Sequence, residues 1–173
     1  MQCVWWVYGT TTIIILYSKK SGDFVKTAVH DFTGDQTYVE MHGHRFKLNA
    51  DFDSVRASDY DGLYLPGGRA PEWLRTDERV LNLVKHFLDA KKPMAVLCHG
   101  PQILAAIPGA LKGRKITAYF ALKADMVNAG AHWVDTTEDK VVVDGHLVTG
   151  VAWPGHSNLI SEFLKLLGTK IEL

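Results

Sequence analysis

Cys98 and His99 sit side by side where a short apolar run, Met94-Ala-Val-Leu97, gives way to Gly100-Pro101-Gln102-Ile-Leu104. A chain that turns abruptly from a buried strand into a helix holds its corner side chain at the sheet edge, the geometry of a nucleophile elbow. Gly100 permits close backbone approach at such a corner. Pro101 suits a first helical turn, where its missing N–H costs nothing. A thiol placed there faces unpaired N–H groups and the positive end of a helix, which favour the nucleophilic thiolate. The His99 ring can add positive charge, and its backbone N–H points to where an oxyanion would form.

The elements around this corner explain how it is held. Gly62-Leu-Tyr-Leu65 reads as a strand and runs into Pro66-Gly67-Gly68, where adjacent glycines let backbone N–H groups converge on an oxygen. Val80, Leu81, Val84, Phe87 and Leu88 recur at helical spacing, and Lys91-Lys92-Pro93 ends that helix. Ile116 to Tyr119 reads as a strand, residues 123–129 as a helix, and Trp133-Val134 as a strand. Val141 to Val148 reads as a hairpin turning at Asp144-Gly145. Trp153-Pro-Gly-His156 opens a last helix with Leu159, Ile160, Phe163, Leu164 and Leu167 on its apolar stripe. Strands alternating with helices predict an α/β fold with a mostly parallel central sheet covered on both faces. Ligands in such sheets sit outside the carboxyl ends of the strands, where Gly67, Gly68 and Cys98 all fall.

Composition narrows the classes. The 173 residues fit one domain with a sizeable core. Nineteen basic residues balance nineteen acidic ones, so no nucleic-acid footprint is expected. Two cysteines, Cys3 and Cys98, make no disulfide framework and fit a reducing, cytoplasmic setting. No Cys/His cluster has metal-ligand spacing, so neither metal nor cofactor is expected. His42-Gly-His44 reads as a solvated pair in a turn. The apolar runs Cys3–Tyr8 and Ile13–Leu16 read as strands; the stretch is too short and too polar for a membrane span, and it lacks the basic n-region and small-residue cleavage site of a signal peptide. Ser21 to Tyr60 is polar and reads as a small hairpin leaving the main sheet, with Asp31 and Asp35 as turn residues.

Leu65-Pro-Gly-Gly-Arg-Ala-Pro-Glu72, Ala95-Val-Leu-Cys-His-Gly-Pro-Gln-Ile-Leu104 and Leu111-Lys-Gly-Arg-Lys115 together resemble the PfpI/ThiJ superfamily. Lys19-Lys-Ser-Gly-Asp23 and Thr27-Ala-Val-His-Asp-Phe32 are similar to its plant branch with glyoxalase III activity. The resemblance implies a flavodoxin-like three-layer sandwich, with residues 1–173 as one domain and 1–12 atypical. It implies Cys98 as nucleophile with His99 beside it, and Gly67, Gly68 and His99 as oxyanion donors. By the same resemblance Glu72 is an acid near the histidine of an adjacent subunit, Tyr119 is a pocket tyrosine, and the protein is a homo-oligomer. The expected substrate is a small 2-oxoaldehyde or a peptide, with no nucleic acid or membrane partner.

One departure bears on activity. The superfamily places a glutamate after its first strand, beside the thiol, and threads a helix between its first two strands. Here no Asp or Glu precedes Asp23, and about five residues separate Tyr8 from Ile14, too few for a parallel crossover. The first strand–helix unit is therefore expected to be truncated or replaced, baring one sheet face. Loss of a general acid/base costs on the order of 10²–10⁴-fold in rate. Three classes follow: a glyoxalase converting 2-oxoaldehydes to 2-hydroxy acids, impaired by that loss; a cysteine hydrolase of protease or deglycase type; and a non-catalytic thiol sensor or chaperone. A glutamine amidotransferase needs a late His-x-Glu pair. His132, His146 and His156 are followed two places on by Val134, Val148 and Asn158, which excludes it.

Overall fold

The structure is a computed structural model that describes residues 5–9, 12–17, 22–31 and 39–169. In chain order the strands and helices are β1 (Trp5–Gly9), β2 (Thr12–Tyr17), β3 (Phe24–Asp31), β4 (Val39–Lys47), β5 (Ala50–Asp51), β6 (Gly62–Leu65), α1 (Ala70–Leu74), α2 (Glu78–Asp89), β7 (Met94–Leu97), α3 (Pro101–Ala105), β8 (Lys115–Ile116), α4 (Lys123–Asn128), β9 (His132–Trp133), β10 (Val141–Asp144), β11 (Leu147–Gly150) and α5 (His156–Leu166). The main sheet has the order β10-β11-β7-β6-β1-β2-β5. β11, β7, β6, β2 and β5 run one way, with β10 and β1 reversed, so the sheet is mostly parallel as expected.

Strict alternation along the central strands divides the interior into two layers. Leu63, Leu65, Met94, Val96 and Leu147 face a core built with Leu74 of α1, Val80, Val84 and Phe87 of α2, Ile103 and Leu104 of α3, and Met126 of α4. Tyr64, Ala95, Leu97 and Val148 face the other way and meet Leu159 and Phe163 of α5, with Leu166 and Leu167 half-buried against them. Helix, sheet and helix make the three-layer flavodoxin-like sandwich. Both faces of β6, β7 and β11 are covered, which is why β6 and β7 read as unbroken apolar runs.

The α5 layer is thin, and the amino-terminal strands show why. β1 and β2 form an antiparallel hairpin, Trp5 opposite Leu16 and Gly9 opposite Thr12. The short spacing between them leaves no room for a crossover helix. β1 also lies antiparallel to β6, with Trp6 opposite Tyr64. Phe163 abuts Gly62, where an added Cβ would come within 2.8 Å of the ring.

Three local readings are corrected. His42 and His44 are exposed on β4, paired with β3, rather than in a turn. The hairpin β3–β4 stands apart from the main sheet, as expected; Asp31 ends β3, and Asp35 lies outside the described residues, as does Cys3. The Ile116–Tyr119 strand is only the two-residue β8, paired with β9 in a separate ribbon. Its chain peels away because the Tyr119 N–H donates to the Cys98 carbonyl at 3.0 Å.

Candidate active site

Cys98 has φ +57°, one of two described non-glycine residues in the left-handed region. A non-glycine residue there is strained, and strain of this kind persists only where the surroundings over-determine it. Three backbone bonds do so: Cys98 N–H to Gly150 O (2.9 Å), Gly100 N–H to Leu97 O (2.8 Å) and Tyr119 N–H to Cys98 O (3.0 Å). Gly100 is required, since a Cβ there would lie 2.8 Å from the Leu65 carbonyl and from Val96 Cγ1. Gly67 is required as well, because its Cβ would fall 2.4 Å from Cys98 Cβ. The sequence pattern Cys-His-Gly-Pro after a strand is thus a sterically fixed corner.

Most residues expected at the site come together. The His99 ring Nδ1 lies 3.2 Å from the Cys98 sulfur. The backbone N–H groups of Gly68 and His99 donate to that sulfur. Gly67 contributes close packing against the thiol side chain and against the His99 nitrogen. Tyr119 stacks on the His99 ring, centroids 4.7 Å apart and planes 25° from parallel, and fixes its orientation. Glu72 is exposed on α1. Its charge acts on His99 of the same chain, whereas the sequence resemblance pairs it with an adjacent subunit.

The electrostatics correct one expectation. Burial pushes the Cys98 thiol above its usual range, and the two N–H donors only partly offset this. The helix behind it, α3, is five residues long and carries little dipole. Burial also pushes the His99 imidazole down, with Glu72 opposing. The resting pair is therefore neutral thiol and neutral imidazole, and in the tautomer with its proton on Nε2 the imidazole can accept the thiol proton at Nδ1. Among the described residues no carboxylate bonds to the sulfur, and no group of side chains could hold a metal. No described helix is long and apolar enough to cross a membrane.

Several neighbours were not foreseen. The Tyr64 hydroxyl and His156 Nε2 lie 2.7 Å apart, tying β6 to the start of α5. Tyr64 sits inside an apolar strand, where no sequence signal marks a polar contact. Phe120 packs its ring 4.4 Å from that of Tyr119, and its place directly after the pocket tyrosine was the available clue. A cleft of about 420 Å³ lined by Lys85, Asp89, Lys112 and Arg114 lies elsewhere. Arg114 bonds to His146, whose carbonyl binds the first residue of β7, so that cleft is at the opposite strand ends from Cys98.

A strained cysteine at the carboxyl end of a parallel strand, with a histidine and two N–H donors on its sulfur, defines an α/β protein with a nucleophile elbow. Residues 11–166 match the DJ-1/PfpI family, and the chain belongs to it. Protein DJ-1 homolog D of Arabidopsis thaliana is 53% identical over 154 residues, covering 88% of this chain and 39% of that protein. The chain thus spans well under half the length of this relative. Deglycase PH1704 of Pyrococcus horikoshii is 43% identical over 131 residues, covering 76% of each. Among solved structures, Drosophila melanogaster DJ-1beta superposes with a TM-score of 0.61 at 26% identity, covering 73% of this chain and 67% of that one. Glyoxalase III of Candida albicans superposes with a TM-score of 0.57 at 18% identity, over 68% of this chain and 62% of that one, a likeness of fold.

Proposed function

We propose that this chain is a thiol enzyme of reactive carbonyl compounds, converting 2-oxoaldehydes such as methylglyoxal to 2-hydroxy acids, and that it is a slow one. The observation that carries the reading is Cys98 at φ +57° with His99 Nδ1 3.2 Å from its sulfur. The names of relatives that act as deglycases and of a glyoxalase III with the same fold support the carbonyl class.

The steps follow from the groups present. His99 Nδ1 takes the thiol proton, and the sulfur adds to the aldehyde carbon. The carbonyl oxygen gains negative charge near the N–H groups of Gly68 and His99, then a proton, giving a hemithioacetal. The hydrogen on that carbon leaves as a proton while the keto oxygen takes one, giving an enediol. The former keto carbon is then protonated as the hydroxyl on the sulfur-bearing carbon gives up its proton, producing a thioester with an adjacent hydroxyl. Water then cleaves the thioester, releasing the 2-hydroxy acid and the thiol. The shift between adjacent carbons needs a proton carrier on the substrate side of the sulfur. In this reading His99 serves both steps, no described carboxylate being bonded to the sulfur, and that double duty makes the turnover slow.

The test is lactate formation from methylglyoxal by the wild type and by Cys98→Ala. Slow turnover that vanishes with the sulfur is expected; equal lactate from both proteins would refute the reading. The hydrolase alternative is separated by an assay of peptide release or of glycated amine release, which the glyoxalase reading expects to be negligible. A homo-oligomer, implied by the family resemblance, is read by sedimentation.

A further inference from the structure

Among the described large hydrophobic side chains, the three most exposed are Trp73 (63%), Phe120 (67%) and Trp153 (69%), and no other passes 48%. Each belongs to a segment near Cys98. Trp73 lies on α1, just beyond Gly67 and Gly68. Phe120 follows Tyr119, whose backbone is bonded to Cys98. Trp153 comes three residues after Gly150, which accepts the Cys98 N–H. Scattered exposed apolar residues need no explanation, but Phe120, in ring contact with Tyr119, is not a scattered one.

Of the three, Phe120 is connected to the thiol through rings in contact. His99 lies against the sulfur, Tyr119 stacks on His99 at 4.7 Å, and Phe120 meets Tyr119 at 4.4 Å with planes at 42°. The result is a continuous aromatic run from the half-buried nucleophile to solvent. Methylglyoxal, with a single methyl group, is too small to touch more than its inner end. A flat apolar substituent on the carbonyl would lie along the run and gain ring contacts there.

We propose that Phe120, with Tyr119, forms an aromatic subsite that selects carbonyl compounds bearing an aryl group over those bearing a methyl group. The proposal rests on Cys98 as the site's nucleophile and deepens that reading by naming the substrate class. Phe120 is a specificity residue, recognising the substituent rather than taking part in the chemistry.

The test uses α-bromoketones, which alkylate the thiol directly and need no turnover. The rates of Cys98 alkylation by 2-bromo-2′-acetonaphthone and by bromoacetone are measured on the Cys98 peptide by mass spectrometry. Their ratio is divided by the same ratio for a free thiol. The wild type is expected to favour the aryl reagent by roughly three- to tenfold beyond the free thiol, the gain of one or two aromatic contacts. Phe120→Ala is expected to bring the ratio back toward the free-thiol value, and Phe120→Tyr, which keeps the ring, to retain it. A wild-type ratio equal to that of the free thiol, or a ratio untouched by Phe120→Ala, overturns the proposal. A selective wild-type ratio in a protein that makes no lactate would instead overturn the glyoxalase reading and leave the subsite standing.

Discussion

Replacing Gly67 by alanine tests the corner that holds the nucleophile. The new Cβ would sit 2.4 Å from Cys98 Cβ, 3.1 Å from its sulfur and 3.1 Å from the His99 nitrogen. Carbon atoms in contact settle at about 3.5–4.0 Å, so the first of these distances is short by over 1 Å. Cys98 cannot rotate the clash away, because the obstructing atom is its own Cβ, fixed to a backbone that three hydrogen bonds hold. Either the Pro66–Gly68 loop or the elbow must shift. Overpacking of this kind costs about 1–3 kcal/mol, which lowers Tm by roughly 2–12 °C in a domain of this size. The same shift moves the Gly68 N–H away from the sulfur, so alkylation of Cys98 changes in parallel. Gly68→Ala is the matched control: at φ +76° nothing lies within 4 Å of its Cβ, and only the backbone cost of about 1–2 kcal/mol applies. Thermal unfolding and iodoacetamide alkylation are measured for both. If Gly67→Ala melts with the wild type and alkylates at the same rate, the claim that Gly67 is pressed against the elbow is wrong.

Other expectations follow from particular groups. Because burial raises the Cys98 thiol, its alkylation rate is expected to go on climbing above the range of an ordinary thiol; a plateau near neutral pH would contradict this. Asp77 caps α2 and its carboxyl is held below the usual range, first by the Arg79 side chain. Its ionised form therefore adds stability that is complete above the ordinary carboxylate range and disappears as pH falls through its lowered folded value. Asp77→Asn keeps a capping side chain, so its deficit in Tm should be present at pH 7 and shrink on acidification; a deficit that does not vary with pH contradicts the charge argument. Phe163→Ala removes one of two buried anchors of α5 and should cost about 3–5 kcal/mol, read by urea denaturation. A loss under about 1 kcal/mol would show that α5 is held by something other than that thin layer.

The parts of this fold that the sequence declares are those where a single local rule decides. Leu97-Cys98-His99-Gly100-Pro101 reads as a corner because Gly and Pro leave few other conformations there. Gly62–Leu65 and Met94–Leu97 read as buried strands because both their faces are apolar. The short gap after Tyr8 excluded a crossover; that β1 and β2 pair antiparallel in its place is seen only in the folded chain. What stayed hidden depends on distant atoms. The thiol titrates high because of the burial around it, which no neighbour in sequence announces. Tyr119 leaves its strand early because its N–H is claimed by Cys98, twenty-one positions back. Tyr64 meets His156 across ninety-two positions. The family resemblance supplied Glu72 and Tyr119 as candidates, but the effect of the Glu72 charge on His99 and the stacking of Tyr119 on that ring are properties of the folded chain.

The central claim is that attack by the Cys98 sulfur is well provided for and that the later proton shift is not. It is tested by following free Cys98 thiol and lactate together after methylglyoxal is added. The thiol is expected to be consumed well before lactate accumulates, with the adduct persisting as the slow species. Lactate that keeps pace with thiol loss, or a thiol that stays fully titratable throughout, contradicts the account.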